Sequence, residues 1–236
     1  AGAESLRAGL RAFECDVKLS ADGVPFLLHD DTLERTTDGR GRASAQPWSR
    51  LARLDASRGF GTRFAGTRLT ALHELAQLLH GDDVWLNLEI KTDAGADVPT
   101  QAAWGRQIAQ AAARLWAGTA QPPVLSSFSL PALQAAAQAA PQLPRAWLSR
   151  ALPPRWREPA QALGLQALHL EAHLFEPQTL REVHAAGLQL RLFTVNAAAQ
   201  LAAWLHLGVD GVFTDVPEST TLLASLPCPK PRASAS

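Results

Sequence analysis

Two short stretches hold residues whose types and spacing could do chemistry. In "FECDV" the carboxylates Glu14 and Asp16 are separated by one residue, and in "LEIK" Glu89 and Lys91 repeat the spacing with one acid and one base. Alternation along a strand puts Glu14 and Asp16 on one face, with Phe13, Cys15 and Val17 on the other. Carboxylates that close raise each other's pKa unless something positive lies between them, and a hard divalent cation with oxygen ligands is the usual solution. A solvated strand end explains the first pair alone equally well. Glu89 and Lys91 shift the balance, because three carboxylates and a lysine at strand ends are costly to bury unless paired or metal-bound. The plainer reading of the second stretch is a Glu–Lys salt bridge on the rim. His29, just before Asp30 and Asp31, ends a second apolar run, where an imidazole suits proton transfer near neutral pH.

The elements that must position these groups read as a strand–helix alternation. Apolar runs cover Ala12–Leu19, Val24–His29, Val84–Lys91, Pro123–Phe128, Arg145–Ser149, Ala167–Leu170, Gln189–Val195 and Gly211–Asp215. Ala- and Leu-rich stretches separate most of them, the mark of βα units around a parallel sheet. In residues 101–118, Trp104, Ile108, Ala112 and Leu115 fall on one helical face. Ser129 and Asn196 are candidate N-caps, Pro131 suits a first turn, and Gly187 and Gly208 are stop signals. Asp22-Gly23 predicts a tight turn that returns the second run antiparallel to the first. That leaves one hairpin strand and seven strands of the βα type. A closed barrel of this kind needs eight, so a further strand is expected before Ala1. Residues 30–69, rich in Gly, Arg, Thr and Asp, have no sustained period and are expected to form a folded insertion.

The 236 residues carry 22 basic and 22 acidic side chains, for a formal charge of zero, and 47% are hydrophobic. This balance argues against nucleic-acid binding and against attraction to anionic membranes by bulk charge. No apolar run is long enough to cross a bilayer, and no secretory signal is visible. Cys15 and Cys228 do not suggest a disulfide framework, so a reduced, cytoplasmic protein is expected. Cys15 points away from the carboxylate face and is not expected to act as a ligand or nucleophile.

"FECDVKLSADGVPFLLHDDTLERTTDGRG", "LNLEIK", "LSSF", "FTVN" and "GVDGVFTDVPE" together resemble the glycerophosphodiester phosphodiesterase family, closest to its cytoplasmic bacterial members. The resemblance runs from the start of the chain to about Pro217. It implies a TIM (β/α)8 barrel over residues 1–225 with a small insertion after the second strand; the Pro- and Ser-rich residues 226–236 are expected, from their composition, to form a disordered tail. It also implies metal-dependent hydrolysis of glycerophosphodiesters, such as glycerophosphocholine or glycerophosphoethanolamine, to sn-glycerol 3-phosphate and an alcohol. By position, Glu14, Asp16 and Glu89 match the metal ligands for Mg²⁺ or Ca²⁺, His29 matches one of two acid/base histidines, and Lys91 matches a phosphate contact. The expected partner is a small-molecule substrate, with neither nucleic acid nor stable membrane insertion; a homo-oligomer is compatible.

The family's opening His-Arg-Gly strand and the Glu-Asn-Thr motif after it have no counterpart here. The chain is therefore expected to lack its first barrel strand and helix, with the second histidine, and its own activity is an open expectation. A phospholipase D-like phosphodiesterase and a silent barrel that only binds phosphodiesters are the alternatives. Lesser candidates for the substrate pocket are Ser126 and Phe128, His169 and Glu171 on one strand face, and Phe193, where the family often has Trp. Arg35, Thr36 and Thr37 are expected to shape the insertion.

Overall fold

The structure, a computed structural model, describes residues 6, 9–81 and 83–217. The chain divides into two compact units, residues 1–147 and 148–236. The expected tail and Cys228 lie outside the described residues.

The first unit is built on β1 (Ala12–Leu19), whose two faces separate as the alternation requires. Phe13, Cys15 and Val17 join the apolar core with Leu86, Leu88 and Ile90. Glu14, Asp16 and Lys18 occupy the opposite face. The chain turns at Gly23, whose φ of +79° suits a residue without Cβ and whose N–H donates to the Ser20 carbonyl at 2.9 Å. It returns as β2 (Pro25–Leu27), antiparallel to β1 with Val17 opposite Leu27. The hairpin thus forms as Asp22-Gly23 implies.

Residues after β2 fold around their own small core of Phe26, Leu28, Leu33, Ala43, Leu51 and Leu69. The segment holds a helical turn, α1 (Trp48–Leu51), and two 3-10 turns, Ala43–Ala45 and Thr62–Phe64. Thr37, fully buried, donates its hydroxyl to the Leu33 carbonyl and accepts the Gly39 N–H.

The parallel repeat then begins. Helix α2 (Leu72–Leu78) leads to β3 (Trp85–Ile90), α3 (Val98–Leu115), β4 (Val124–Ser127), α4 (Leu130–Ala139) and β5 (Arg145–Ser149). Strand order in this unit is β2-β1-β3-β4-β5, and every pair after the hairpin is parallel. Helix α3 starts at Val98, three residues before the apolar period suggests, because the Asp97 carboxylate accepts the Thr100 N–H at 2.9 Å. Its buried face is Gly105, Ile108, Ala109, Ala111 and Ala112, whereas Leu115, expected on that face, is exposed at the last turn. A Cβ at Gly105 would stand 2.1 Å from the Ala132 carbonyl oxygen, so only glycine lets α3 and α4 approach this closely. Ser129 caps α4 as expected, accepting the Ala132 N–H at 3.1 Å.

The second unit continues with α5 (Arg157–Ala162), β6 (Ala167–Glu171), α6 (Pro177–Ala185), β7 (Gln189–Phe193), α7 (Ala198–His206) and β8 (Gly211–Val212). β6, β7 and β8 pair in parallel in that order. Asn196 does not cap α7. Its side-chain carbonyl accepts the Asp215 N–H at 2.9 Å and the Thr214 hydroxyl at 3.2 Å, tying down the chain after β8. β8 is shorter than its apolar run, although Phe213 still exchanges backbone hydrogen bonds with Leu192 and Val195.

Candidate active site

The first unit brings Glu14, Asp16 and Glu89 together. β1 and β3 run parallel with Glu14 opposite Asn87 and Asp16 opposite Glu89. One carboxylate oxygen from each acid lies within 4.8 Å of the others. Lys91, just past the end of β3, places Nζ 3.2 Å from Asp16 Oδ1 and 3.2 Å from Glu89 Oε1. Burial pushes the Glu89 carboxyl above its ordinary value against the pull of Lys91, and the Asp16 charge pushes the same way. Burial tends to lower the Lys91 ammonium, but Glu89 and Asp16 hold it above its usual value. The grouping therefore carries more acid than one lysine balances. Three carboxylates are hard oxygen donors, and a divalent cation that takes oxygen ligands fits them.

His29 follows Leu28, whose N–H donates to the Asp16 carbonyl at 3.1 Å. Its Nδ1 is 2.7 Å from Asp30 Oδ1, and Arg35 grips the same carboxylate with Nε at 2.5 Å from Oδ2. The Arg35 hydrogen bond holds the Asp30 carboxyl well below the usual carboxylate range. An ionised carboxylate can only accept, so Nδ1 carries the hydrogen and Nε2 is left for proton transfer. Arg35, expected only to shape the insertion, thereby orients the imidazole through Asp30.

The pocket candidates divide. Ser126 lies opposite Glu89 in the register of β4, but it has no exposed surface and its hydroxyl accepts the Asn87 amide at 2.9 Å. Phe128, just past β4, is 47% exposed. Cys15 sits in the core as expected, and burial, aided by the Glu14 and Asp16 charges, pushes its thiol up to about 12. A thiol raised this far is protonated at neutral pH and suits its place in the core.

The other candidates belong to the second unit. Glu171 ends β6 and pairs with His173 at 3.3 Å and Arg150 at 3.5 Å, and Phe193 stands opposite it in β7, half-buried. His169 was expected to line a pocket, but it is fully buried against Phe213 with ring centroids 4.9 Å apart, and neither ring nitrogen has a hydrogen-bond partner. Burial drives its pKa well below its ordinary 6.5, and the Arg191 charge adds to the shift. A histidine depressed in the folded state gives stability above its unfolded pKa and loses it as pH falls. The melting temperature is thus expected to fall as pH drops below about 6.5, the unfolded histidine value, and His169→Leu to flatten that slope. Thermal melts of both proteins between pH 7 and 5 check this; parallel slopes would refute it.

Asn87 and Lys18 escaped the sequence reading. Asn87 shares the face of Glu89, and its side-chain carbonyl is buried without a partner. The signal for Lys18 was present: it extends the alternating row Glu14, Asp16 by one more step.

Acids on neighbouring parallel strands, with Glu89 and Lys91 at the C-terminal end of β3, in a βα repeat point to the TIM-barrel class of α/β enzyme. The model of the glycerophosphoryl diester phosphodiesterase family matches residues 1–219, and the chain belongs to that family of hydrolases. It is similar to a phosphodiesterase of Oleispira antarctica, solved in complex with the product sn-glycerol-3-phosphate, at 29% identity. That similarity has a TM-score of 0.85 and covers 94% of this chain and 89% of the other. The glycerophosphodiester phosphodiesterase of Caldanaerobacter subterraneus subsp. tengcongensis is 28% identical over 218 residues, 91% of this chain and 86% of the relative. That of Bacillus altitudinis is 27% identical over 220 residues, again 91% and 86%. No helix among the described residues is long and apolar enough to cross a membrane.

Proposed function

We propose that this protein hydrolyses glycerophosphodiesters, such as glycerophosphocholine or glycerophosphoethanolamine, to sn-glycerol 3-phosphate and an alcohol. The observation that carries the reading is the Glu14–Asp16–Glu89 cluster with Lys91 against two of its members, in a chain of this family. Glu14, Asp16 and Glu89 would hold a divalent cation, Mg²⁺ or Ca²⁺. Such a cation polarises phosphoryl oxygens and offsets developing negative charge.

The protein's own groups supply the remaining parts. Lys91 offers a cationic donor to a phosphate oxygen, which it can leave the acids to meet once they are otherwise neutralised. His29 moves a proton at Nε2, its ring fixed by Asp30 and Arg35. In the net reaction water's oxygen bonds to phosphorus, the ester P–O bond to the headgroup breaks, and the departing alkoxide gains a proton. Phe128 supplies an exposed apolar wall for the glycerol or alcohol part.

The test is release of sn-glycerol 3-phosphate from glycerophosphocholine by the full-length protein as its gene encodes it. Release that stops in chelator and returns with added Mg²⁺ or Ca²⁺ is the expected result. Absence of product refutes the substrate class, and undiminished release in chelator refutes the metal assignment.

A further inference from the structure

Lys18 is fully buried, yet it is a charged group on the face that carries Glu14 and Asp16. Its Nζ donates to Asp31 Oδ1 at 2.7 Å and to Asp93 Oδ1 at 2.9 Å, and lies 5.7 Å from the centroid of the Trp104 ring. Two carboxylates thus accept hydrogen bonds from the ammonium, and an aromatic face lies over it. The carboxylates are themselves fully engaged. Asp31 Oδ2 accepts the Ala94 N–H at 2.8 Å, and Asp93 Oδ2 accepts from Ser44 Oγ and, at 3.3 Å, from Arg42.

The placement of this clasp in the chain is what gives it meaning. The segment bearing His29 is pinned to β1 on both sides: before it by the Leu28 N–H on the Asp16 carbonyl, after it by Asp31 on Lys18. The segment bearing Lys91 is closed the same way, by the Lys91 N–H on the Val17 carbonyl at 3.0 Å and then by Asp93 on Lys18. Both proposed reacting groups therefore sit in short spans fastened to residues 16–18, the stretch of β1 that includes Asp16. An ion pair that only stabilised the insertion would need neither this position nor two partners from two segments.

We propose that Lys18 is a positioning residue: through Asp31 it sets the place of His29, and through Asp93 the place of Lys91, relative to the carboxylate cluster. This rests on the reading of that cluster as a phosphodiester centre. Small misplacements of a reacting group cost roughly 10- to 100-fold in rate. Asp31→Asn and Asp93→Asn keep size and leave Lys18 one carboxylate, which avoids stranding a buried ammonium. The His29 arm should lower kcat by roughly tenfold or more with KM little changed, whereas the Lys91 arm should chiefly raise KM. In the His29→Gln background, Asp31→Asn should cost nothing further, because a residue that acts through His29 has no target left.

Equal losses in both arms that track melting temperature, or an additive double variant, would overturn the proposal. A second readout needs no turnover. The imidazole NMR signals of His29, assigned by their loss in His29→Gln, should shift or broaden in Asp31→Asn and stay unchanged in Asp93→Asn. Unchanged His29 signals in Asp31→Asn would overturn the positioning role by themselves. A wild-type protein that releases no glycerol 3-phosphate would instead refute the function, while the imidazole signals would still decide the role of Lys18.

Discussion

Glu89→Gln is expected to lower kcat on the order of 10²- to 10³-fold or more, while leaving the fold as stable as before or more stable. Glu89 is nearly buried between Asp16 and Lys91, and burial with a like charge nearby raises its carboxyl. An acid raised in the folded state contributes stability that is fully present below its unfolded pKa and is lost as pH rises through its folded pKa. Above that window the Glu89 carboxyl is therefore a liability to the fold, which a neutral amide of the same shape removes. Lys91 keeps Asp16 as a partner at 3.2 Å, so the substitution strands no ammonium. The same change deletes the third oxygen charge of the cluster, on which divalent-cation affinity depends. Thermal melts give a readout separate from turnover. A cation that binds only the folded protein raises the melting temperature of the wild type, and it should not raise that of Glu89→Gln. A variant that keeps its rate, or that still gains stability from the cation, would refute Glu89 as a ligand.

His29→Gln is the second large effect, a loss of roughly 10²- to 10⁴-fold in kcat, the usual worth of a positioned proton-transfer group. Its side chain is 60% exposed, so the fold should scarcely notice. KM and the cation-induced rise in melting temperature should remain as in the wild type, because neither the carboxylate cluster nor Lys91 is touched. A diester with a p-nitrophenol leaving group, which departs without a proton, then assigns the direction of transfer. The loss shrinks on that substrate if Nε2 delivers a proton to the leaving oxygen and persists if Nε2 takes one from the nucleophile. Asp30→Asn should fall between wild type and His29→Gln, since it frees the ring to rotate and to change tautomer. Full activity in His29→Gln would remove the imidazole from the mechanism.

By itself the sequence determined the alternation and its punctuation. The row Glu14, Asp16 with Cys15 and Val17 behind it follows from strand geometry, and so do the hairpin at Asp22-Gly23, the cap at Ser129 and the parallel βα repeat. These are local: a period of two, a φ that glycine tolerates, a side chain reaching an N–H three residues on. Asp97 shows the limit of reading by period alone, since its carboxylate starts α3 before the first apolar position of the pattern. Asn196 shows the limit of reading caps by type, because the same amide finds Thr214 and Asp215 across the unit instead.

Only the tertiary structure decided which distant groups share a dielectric and a donor. The register of β1 against β3 brings Asp16 level with Glu89, and nothing in either segment fixes that register alone. His169 and Glu171 alternate onto one face of β6, yet one is sealed against Phe213 and the other paired with His173 and Arg150. Lys18 reads in the sequence as one more polar residue on a strand. Its partners Asp31 and Asp93 lie 13 and 75 residues away, and their convergence on one ammonium is set by folding. Burial, which turns a charge into a commitment to specific partners, is a property of the packed chain and not of any segment within it.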